Sequence, residues 1–323
     1  MTSLSIKRIN HDISLYEKSK DIHNKEGIYI NFNIDEIFGP HQCIIIGSKN
    51  TPYENIFLPF EFRYPKGNVN GKDELPYPAT PPKVEFCSLD SGCRIHPNLY
   101  ERGKVCLSII NTWEGPKWTP CMNIITVFTA INACVLGLEH PIQGEPSFEL
   151  ESGELSRRYN DVVRHEGIRL YVCKILIQTP DKFIGFLPIM NEHFIKNYKF
   201  YTDVVMTGYK IRELKYPVYS RRTLINNYET MFHKINTYYN NLTGNNIEDI
   251  NEKLETVIIT KKKKHSSEEK QQSKSSRKAP NKPAKAFETG TIKTSENDGR
   301  DYIVKEYTHS NKSTTWKKWV LHK

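Results

Sequence analysis

SGCRIHPNLYERGKVCLSIINTWEGPKWTP, residues 91–120, concentrates reactive side chains in a stretch with little regular patterning. One short apolar run, VCLSII, interrupts it, and Cys106 lies near the start of that run between Lys104 and Ser108. The triplet His96-Pro97-Asn98 precedes it, with Asn98 eight residues before Cys106. A loop cysteine beside a basic side chain and backbone N–H groups is a nucleophile candidate, although an ordinary thiol pKa near 8.5 leaves only about 3% thiolate at pH 7. Chemistry at Cys106 therefore needs help with the proton or an acyl donor that is already activated. Asn98 offers a neutral amide donor suited to an oxyanion, a contact whose loss typically costs about 2.7 to 4 kcal/mol of barrier. Residue types alone leave other readings open. A cysteine in an apolar run is commonly a buried structural residue, and His96 reads as a structural hydrogen-bonding residue rather than as a base. Cys87, Cys93, His96 and Cys106 also offer four zinc-type ligands, without the paired CxxC spacing that supports such a site.

Outward from this stretch the pattern is α+β. Residues 5–20 (SIKRINHDISLYEKSK) set Ile6, Ile9, Ile13 and Tyr16 along one helical stripe. Residues 28–34, 43–47 and 57–64 are rich in Ile and Phe, are separated by Gly, Pro and Asn, and read as strands whose short spacing implies an antiparallel meander. The prolines of PYPATPP (76–82) exclude helix and central strand, so an extended segment leads into Val84, Glu85 and Phe86. Residues 122–138 are apolar on nearly all sides and predict a buried helix. Further helical patterns cover 148–158 and 159–178, and more weakly 191–205 and 220–239.

The chain has 323 residues and a net charge of +9, from 46 Lys and Arg against 37 Asp and Glu. Composition breaks at Lys261. Residues 261–286, ending at Ala286, hold ten basic and two acidic side chains, a local +8, and no large apolar residue. Such a segment cannot bury enough surface to offset chain entropy and is expected to be disordered, as a tether, an import-like address or a polyanion contact. The last 37 residues regain aromatics, Trp316 and Trp319 among them, enough for a small ordered patch but with no pattern that assigns its structure. Seven cysteines scattered over a long chain are unlike the dense framework of a small secreted domain and are expected to be reduced. With no membrane-length apolar run and no signal-like N-terminal segment, a location in cytoplasm or nucleus is expected.

The order of motifs carries the reading further. TPYEN (51–55), YPATPPKVEF (77–86), HPN (96–98), GKVCLSI (103–109), WTP (118–120) and EPSFE (145–149) follow one another at a spacing that resembles the ubiquitin-conjugating enzymes over residues 5–178. The pair Trp113 and Trp118, and the run YNDVVRHEGIRLYVCKIL, are similar to the large, extended branch of that family. The resemblance implies a catalytic domain at 1–178 with an N-terminal helix, a four-stranded antiparallel meander and C-terminal helices. A helical extension at 179–257, a disordered Lys-rich linker at 258–290 and a short tail at 291–323 would follow. It implies that Cys106 accepts ubiquitin or a ubiquitin-like modifier from an activating enzyme as a thioester, then yields it to a substrate lysine or a ligase cysteine. Activating enzyme, ubiquitin ligase and protein substrates are the implied partners, with no cofactor, metal or membrane. Asn98 would serve the oxyanion or its loop, and His96 would be structural.

The exchange of one thioester for another is nearly isoenergetic. Aminolysis is harder, because a lysine of pKa about 10.4 must lose its proton at pH 7 at a cost of about 4.6 kcal/mol. The family's acceptor-activating carboxylate falls here on Glu139-His140-Pro141, which makes Glu139 the candidate. Ala79 stands where the ligase-facing loop usually carries a bulky residue, residues 66–75 are an insertion read as a solvated loop, and Lys7 and Arg8 match a basic first-helix face. The alternatives are a nucleic-acid-associated protein and a non-catalytic ubiquitin-binding form of the same fold; a cysteine at 106 argues against the latter.

Overall fold

The computed structural model describes residues 2–67, 75–90, 92–208, 214–219, 223–224, 227–244, 279–308 and 315–322. They fall into two compact units, Met1–Asn245 and Asn246–Lys323.

In the first unit, helix α1 (Thr2–Lys25) leads into strands β1 (Ile28–Asn31), β2 (His41–Ile46), β3 (Phe57–Arg63) and β4 (Lys83–Phe86). The strands form one antiparallel sheet in sequence order, with Ile30 opposite Cys43, Cys43 opposite Phe60, and Phe60 opposite Phe86. Strands β2 and β3 are buried on both faces, which is why their sequences are nearly continuous in apolar residues, whereas β4 alternates. Helix α1 buries Ser5, Ile9, Asp12 and Tyr16, so its inner stripe includes two polar residues. Asp12 tolerates burial because it accepts hydrogen bonds from Tyr77 Oη and from Arg8 Nε, the latter at 2.9 Å. Tyr16 Oη accepts the Ile30 N–H at 2.8 Å and ties the helix to β1.

Residues 122–138 depart from the expected all-round burial. Helix α2 (Ile124–Ala130) and the π-helical turn Ile131–Val135 bury Ile124, Val127, Phe128, Ile131 and Val135, and expose Thr126, Thr129, Ala133 and Cys134. The expected helix at 148–158 begins only at Glu154: Ser147 sits at φ 76° and Leu150 is 94% exposed, so the apolar residues of 148–153 belong to a loop. Helix α3 (Glu154–Ile168) then continues through a π-helical stretch (Arg169–Lys174) into α4 (Ile175–Ile177). Beyond it come α5 (Leu187–Lys196), α6 (Tyr198–Gly208), the short strands β5 (Leu214–Lys215) and β6 (Thr223–Leu224), and α7 (Tyr228–Thr243). Phe183, Met190, Phe194, Tyr201, Tyr216 and Met231 from this part lie in the same hydrophobic core as Phe57, Phe86 and Tyr171. Tyr201 Oη donates to Asn55 O at 2.6 Å, and Lys182 pairs with Glu61 at 3.1 Å.

The second unit is a three-stranded antiparallel sheet of β7 (Ile292–Thr294), β8 (Asp301–Thr308) and β9 (Thr315–Leu321). Ala284, Tyr302, Val304 and Trp319 form its core, and Trp319 Nε1 donates to Lys282 O at 2.8 Å. Residues 258–278 of the expected disordered linker lie outside the described residues, as do 68–74 of the insertion. Residues 279–290 correct that expectation: Ala284 is buried on the sheet and Phe287 packs on Trp319 at 5.3 Å, because the strand aromatics give this Pro- and Lys-rich chain a surface to cover. Among the described residues no helix is long and apolar enough to cross a membrane.

Helix α3 is pinned to the extension by a buried polar chain. His165 Nδ1 donates to Glu166 Oε1 at 2.8 Å, while His165 Nε2 accepts the Asn227 N–H at 3.2 Å, an arrangement that fixes the proton on Nδ1. Arg169 bridges Glu166 and Asp90. Burial pushes the Glu166 carboxyl up, but hydrogen bonds from His165 and Arg169, with the Arg169 charge, outweigh it and hold the group at about 2. A carboxyl depressed in the folded state adds stability above its unfolded pKa of about 4.3, and that contribution fades as pH falls through the folded value. Glu166→Gln is therefore expected to lose about 3 kcal/mol at pH 7. The gap from the parent should narrow steadily between about pH 4.3 and pH 2. Urea unfolding of both proteins at a series of pH values checks this, and a gap unchanged at pH 3 would assign the loss to shape rather than charge.

Candidate active site

The eight-residue interval between Asn98 and Cys106 is the geometry of a small hairpin. Tyr100 N–H donates to Lys104 O at 2.9 Å, Gly103 N–H to Tyr100 O at 3.0 Å, and Gly103 makes the turn at φ 93°, a conformation that suits glycine. The hairpin hangs on the sheet edge through Phe86 N–H, which donates to Gly103 O at 2.8 Å. Asn98 and Cys106 face each other across it: Cys106 N–H donates to Asn98 O at 2.9 Å, and Asn98 Nδ2 donates to Cys106 O at 2.9 Å. Of the two roles expected for Asn98, this contact is of the loop kind: one of its two amide N–H groups holds the main chain of the cysteine.

His96 is fully buried, and burial, followed by the charge of Arg94, lowers its pKa to about 3. Its Nδ1 accepts the Asn98 N–H at 2.9 Å. A neutral imidazole held this way shapes the triplet and has no proton to take up near pH 7. The zinc alternative fails on placement. Cys93 Sγ accepts from Tyr216 Oη at 3.0 Å, His96 is engaged with Asn98, and among the described residues no three His, Cys, Asp or Glu side chains are grouped to hold a metal ion. Lys104 lies over the Tyr100 ring at 5.5 Å.

Beyond Cys106, Thr112 forms a knot that sequence reasoning missed. Its Oγ1 donates to Val105 O at 2.7 Å and accepts the Leu107 N–H at 2.9 Å, holding both neighbours of the cysteine. The second tryptophan is structural: buried Trp118 donates from Nε1 to Pro78 O at 2.7 Å and joins the loops of Ala79 and of Thr119, Pro120 and Cys121, all exposed. Arg8 is no free cation of a solvated face, since its guanidinium donates to Pro120 O at 2.5 Å and to Met122 O at 2.6 Å; Lys7 is exposed. Glu139 is exposed, and its carbonyl accepts from Asn160 Nδ2 at 2.8 Å; His140 Nδ1 meets Ser156 Oγ at 3.0 Å. The residue of this loop set against the triplet is Gly144, where an added Cβ would come within 2.8 Å of Asn98 Oδ1 and 3.1 Å of His96 Cε1.

Cys106 is 1% exposed, so its sulfur is covered by the loops around the hairpin. Cys121 and Cys134 are exposed, while Cys43, Cys93 and Cys173 are buried.

This geometry sets expectations for two substitutions. Asn98→Ala removes the amide bond to Cys106 O and is expected to cost about 1 kcal/mol, read as a drop in thermal midpoint. Gly144→Ala drives a methyl group into Asn98 and is expected to cost about 1–3 kcal/mol. Both variants melting like the parent would show that the hairpin does not depend on these contacts.

The family model described as ubiquitin-conjugating enzyme matches residues 8–161, which contain most of α1, the four-stranded sheet, the hairpin and the start of α3. The chain is 39% identical over 168 residues to ubiquitin-conjugating enzyme E2 Z of Xenopus tropicalis, covering 50% of this chain and 49% of the relative. Against the human E2 Z it is 38% identical over 165 residues, 49% of this chain and 42% of the relative. The chain thus spans about half or less of the length of these curated relatives. Fold, motif order and matched segment agree: residues 8–161 are a ubiquitin-conjugating enzyme domain.

Proposed function

We propose that the chain is a ubiquitin-conjugating transferase in which Cys106 carries the modifier. The observation that carries this reading is the placement of Cys106 opposite Asn98 in a hairpin of the family-matched segment. In the charging step the Cys106 thiolate attacks the carbonyl of a thioester held by an activating enzyme; the new C–S bond forms and the donor's thiolate leaves. In discharge, a substrate amine or a ligase thiol attacks in turn and Cys106 is released. Ubiquitin or a ubiquitin-like modifier, an activating enzyme, a ligase and protein substrates are the partners this chemistry requires. Glu139, exposed on the loop before Gly144, is the carboxylate proposed to take the proton that the acceptor lysine loses as it attacks.

Incubation with activating enzyme, ATP and a panel of modifiers, followed by non-reducing electrophoresis, tests the proposal. A band shift lost on reduction is expected for the parent, a thiol-resistant ester for Cys106→Ser, and no adduct for Cys106→Ala even though Cys121 and Cys134 remain exposed. Thioester in Cys106→Ala would overturn the assignment. In the same assay Glu139→Gln is expected to slow discharge to free lysine most at neutral pH and to recover toward pH 10; a parent-like rate at pH 7 removes Glu139 from the mechanism.

The Lys-rich stretch 261–286 is proposed as a polyanion contact in a cytoplasmic or nuclear protein, on the strength of its local +8. Retention on immobilised polyanion should weaken steadily with salt and fall on deletion of residues 261–278, while charging of Cys106 stays at the parent rate. Salt-independent retention would argue against a charge contact.

A further inference from the structure

Arg94, two residues before His96, is held from three directions. Its guanidinium is sandwiched between the Tyr100 ring at 3.8 Å and the Tyr219 ring at 4.3 Å, it donates from Nη2 to Pro97 O inside the triplet, and it faces Glu145 at 4.0 Å. Tyr219 lies beyond the family-matched segment, between β5 and β6, and reaches back over more than a hundred residues of sequence. Its hydroxyl donates to Glu145 Oε2 at 2.5 Å, and its ring packs edge-on to Tyr159, whose own hydroxyl donates to Arg94 O at 3.3 Å. Tyr219 therefore has two lines to Asn98. One runs through Arg94 to Pro97, the residue before Asn98. The other runs through Glu145 to Gly144, which has no room for a Cβ against Asn98 Oδ1.

A cation between two aromatic faces is a directional contact, and the flat guanidinium presents both faces at once. The planar guanidinium lies between the rings and still reaches Pro97 O. Burial, followed by the hydrogen bond to Glu145, raises the Tyr219 pKa, so the hydroxyl remains a donor. We infer that Tyr219, with Arg94, is a positioning residue for discharge: the extension sets the triplet that holds the main chain of Cys106. This inference rests on the proposed role of Cys106. Charging swaps one thioester for another and asks for an exposed thiolate. Aminolysis builds charge on the carbonyl oxygen and depends on how the groups around it are placed, so it is the step sensitive to a small displacement.

The test uses full-length protein, a single-turnover charging assay and discharge to free lysine at several lysine concentrations. Tyr219→Ala is expected to charge within about twofold of the parent and to discharge about tenfold more slowly, with kcat lowered and KM for lysine unchanged. Tyr219→Phe keeps the ring over Arg94 and loses the bond to Glu145, so it should fall between the two. Arg94→Lys keeps the charge but loses the stack and the bond to Pro97; it should reproduce the defect, and combining it with Tyr219→Ala should add little. If Tyr219→Ala does not fold, Tyr219→Phe and Arg94→Lys decide the matter. Variants that charge and then discharge at the parent rate would overturn the inference while leaving the role of Cys106 intact, as would charging and discharge slowed equally. A parent protein that never forms the thioester would instead remove the reading of Cys106, and this inference with it.

Discussion

The two hydrogen bonds that Asn98 and Cys106 exchange, carbonyl to amide and amide to carbonyl, fix where the thiol sits relative to the sheet. Everything around them acts on one arm of that hairpin or the other. His96 supports Asn98 from within the triplet, Gly144 closes over its amide, and Thr112 holds the residues on both sides of the cysteine. The sheet edge carries the turn through Phe86. The thiol's position is thus set by main-chain bonding, which side-chain substitutions at a distance disturb only by moving one of these supports. A site of this kind suits chemistry in which the acyl group arrives already activated, because the groups nearest the sulfur hold a shape and have little proton traffic to conduct.

The part of the chain beyond the family-matched segment is not an appendage to this site. Phe183, Met190, Phe194, Tyr201 and Met231 complete the core that begins with α1 and the sheet, and Asn227 supplies the N–H that orients His165. Cutting the chain after α4 would leave the faces of α3 and β3 that these residues cover exposed to water, with the loss of apolar burial at about 25 cal/mol per Å². Tyr219 extends the same continuity to the triplet. The small three-stranded sheet at 292–321 has its own core and is a separate unit.

Much of the architecture could be read from the sequence because local pattern and tertiary environment agree there. The alternation of strands and turns gave the first three antiparallel strands, the family resemblance supplied the fourth, and boundaries moved only by residues at the ends. Where the reading failed, the cause was non-local. Residues 148–153 have helical spacing, yet Pro146 and the left-handed Ser147 set a loop whose Leu150 meets only solvent. Residues 122–138 look apolar all round because small residues and threonines on the outer face carry no strong polar signal. Within the site, the nucleophile candidate and its triplet were legible as residue types at a spacing. Thr112, Gly144, Arg94 and Tyr219 were not, because a threonine, a glycine and an Arg–Tyr stack acquire their roles only once segments distant in sequence are brought together.

The distribution of thiols has a bearing on how this protein meets electrophiles and oxidants. Cys121 and Cys134 stand in solvent on the outer loop and helix face, whereas Cys106 is covered. A soft alkylating reagent or peroxide therefore meets two surface sulfurs before the one in the hairpin, and bulk modification measures surface chemistry first. Reaction at Cys106 waits on the opening of its cover, so its rate reports the fraction of time the cover is open wherever reclosing outruns the reaction.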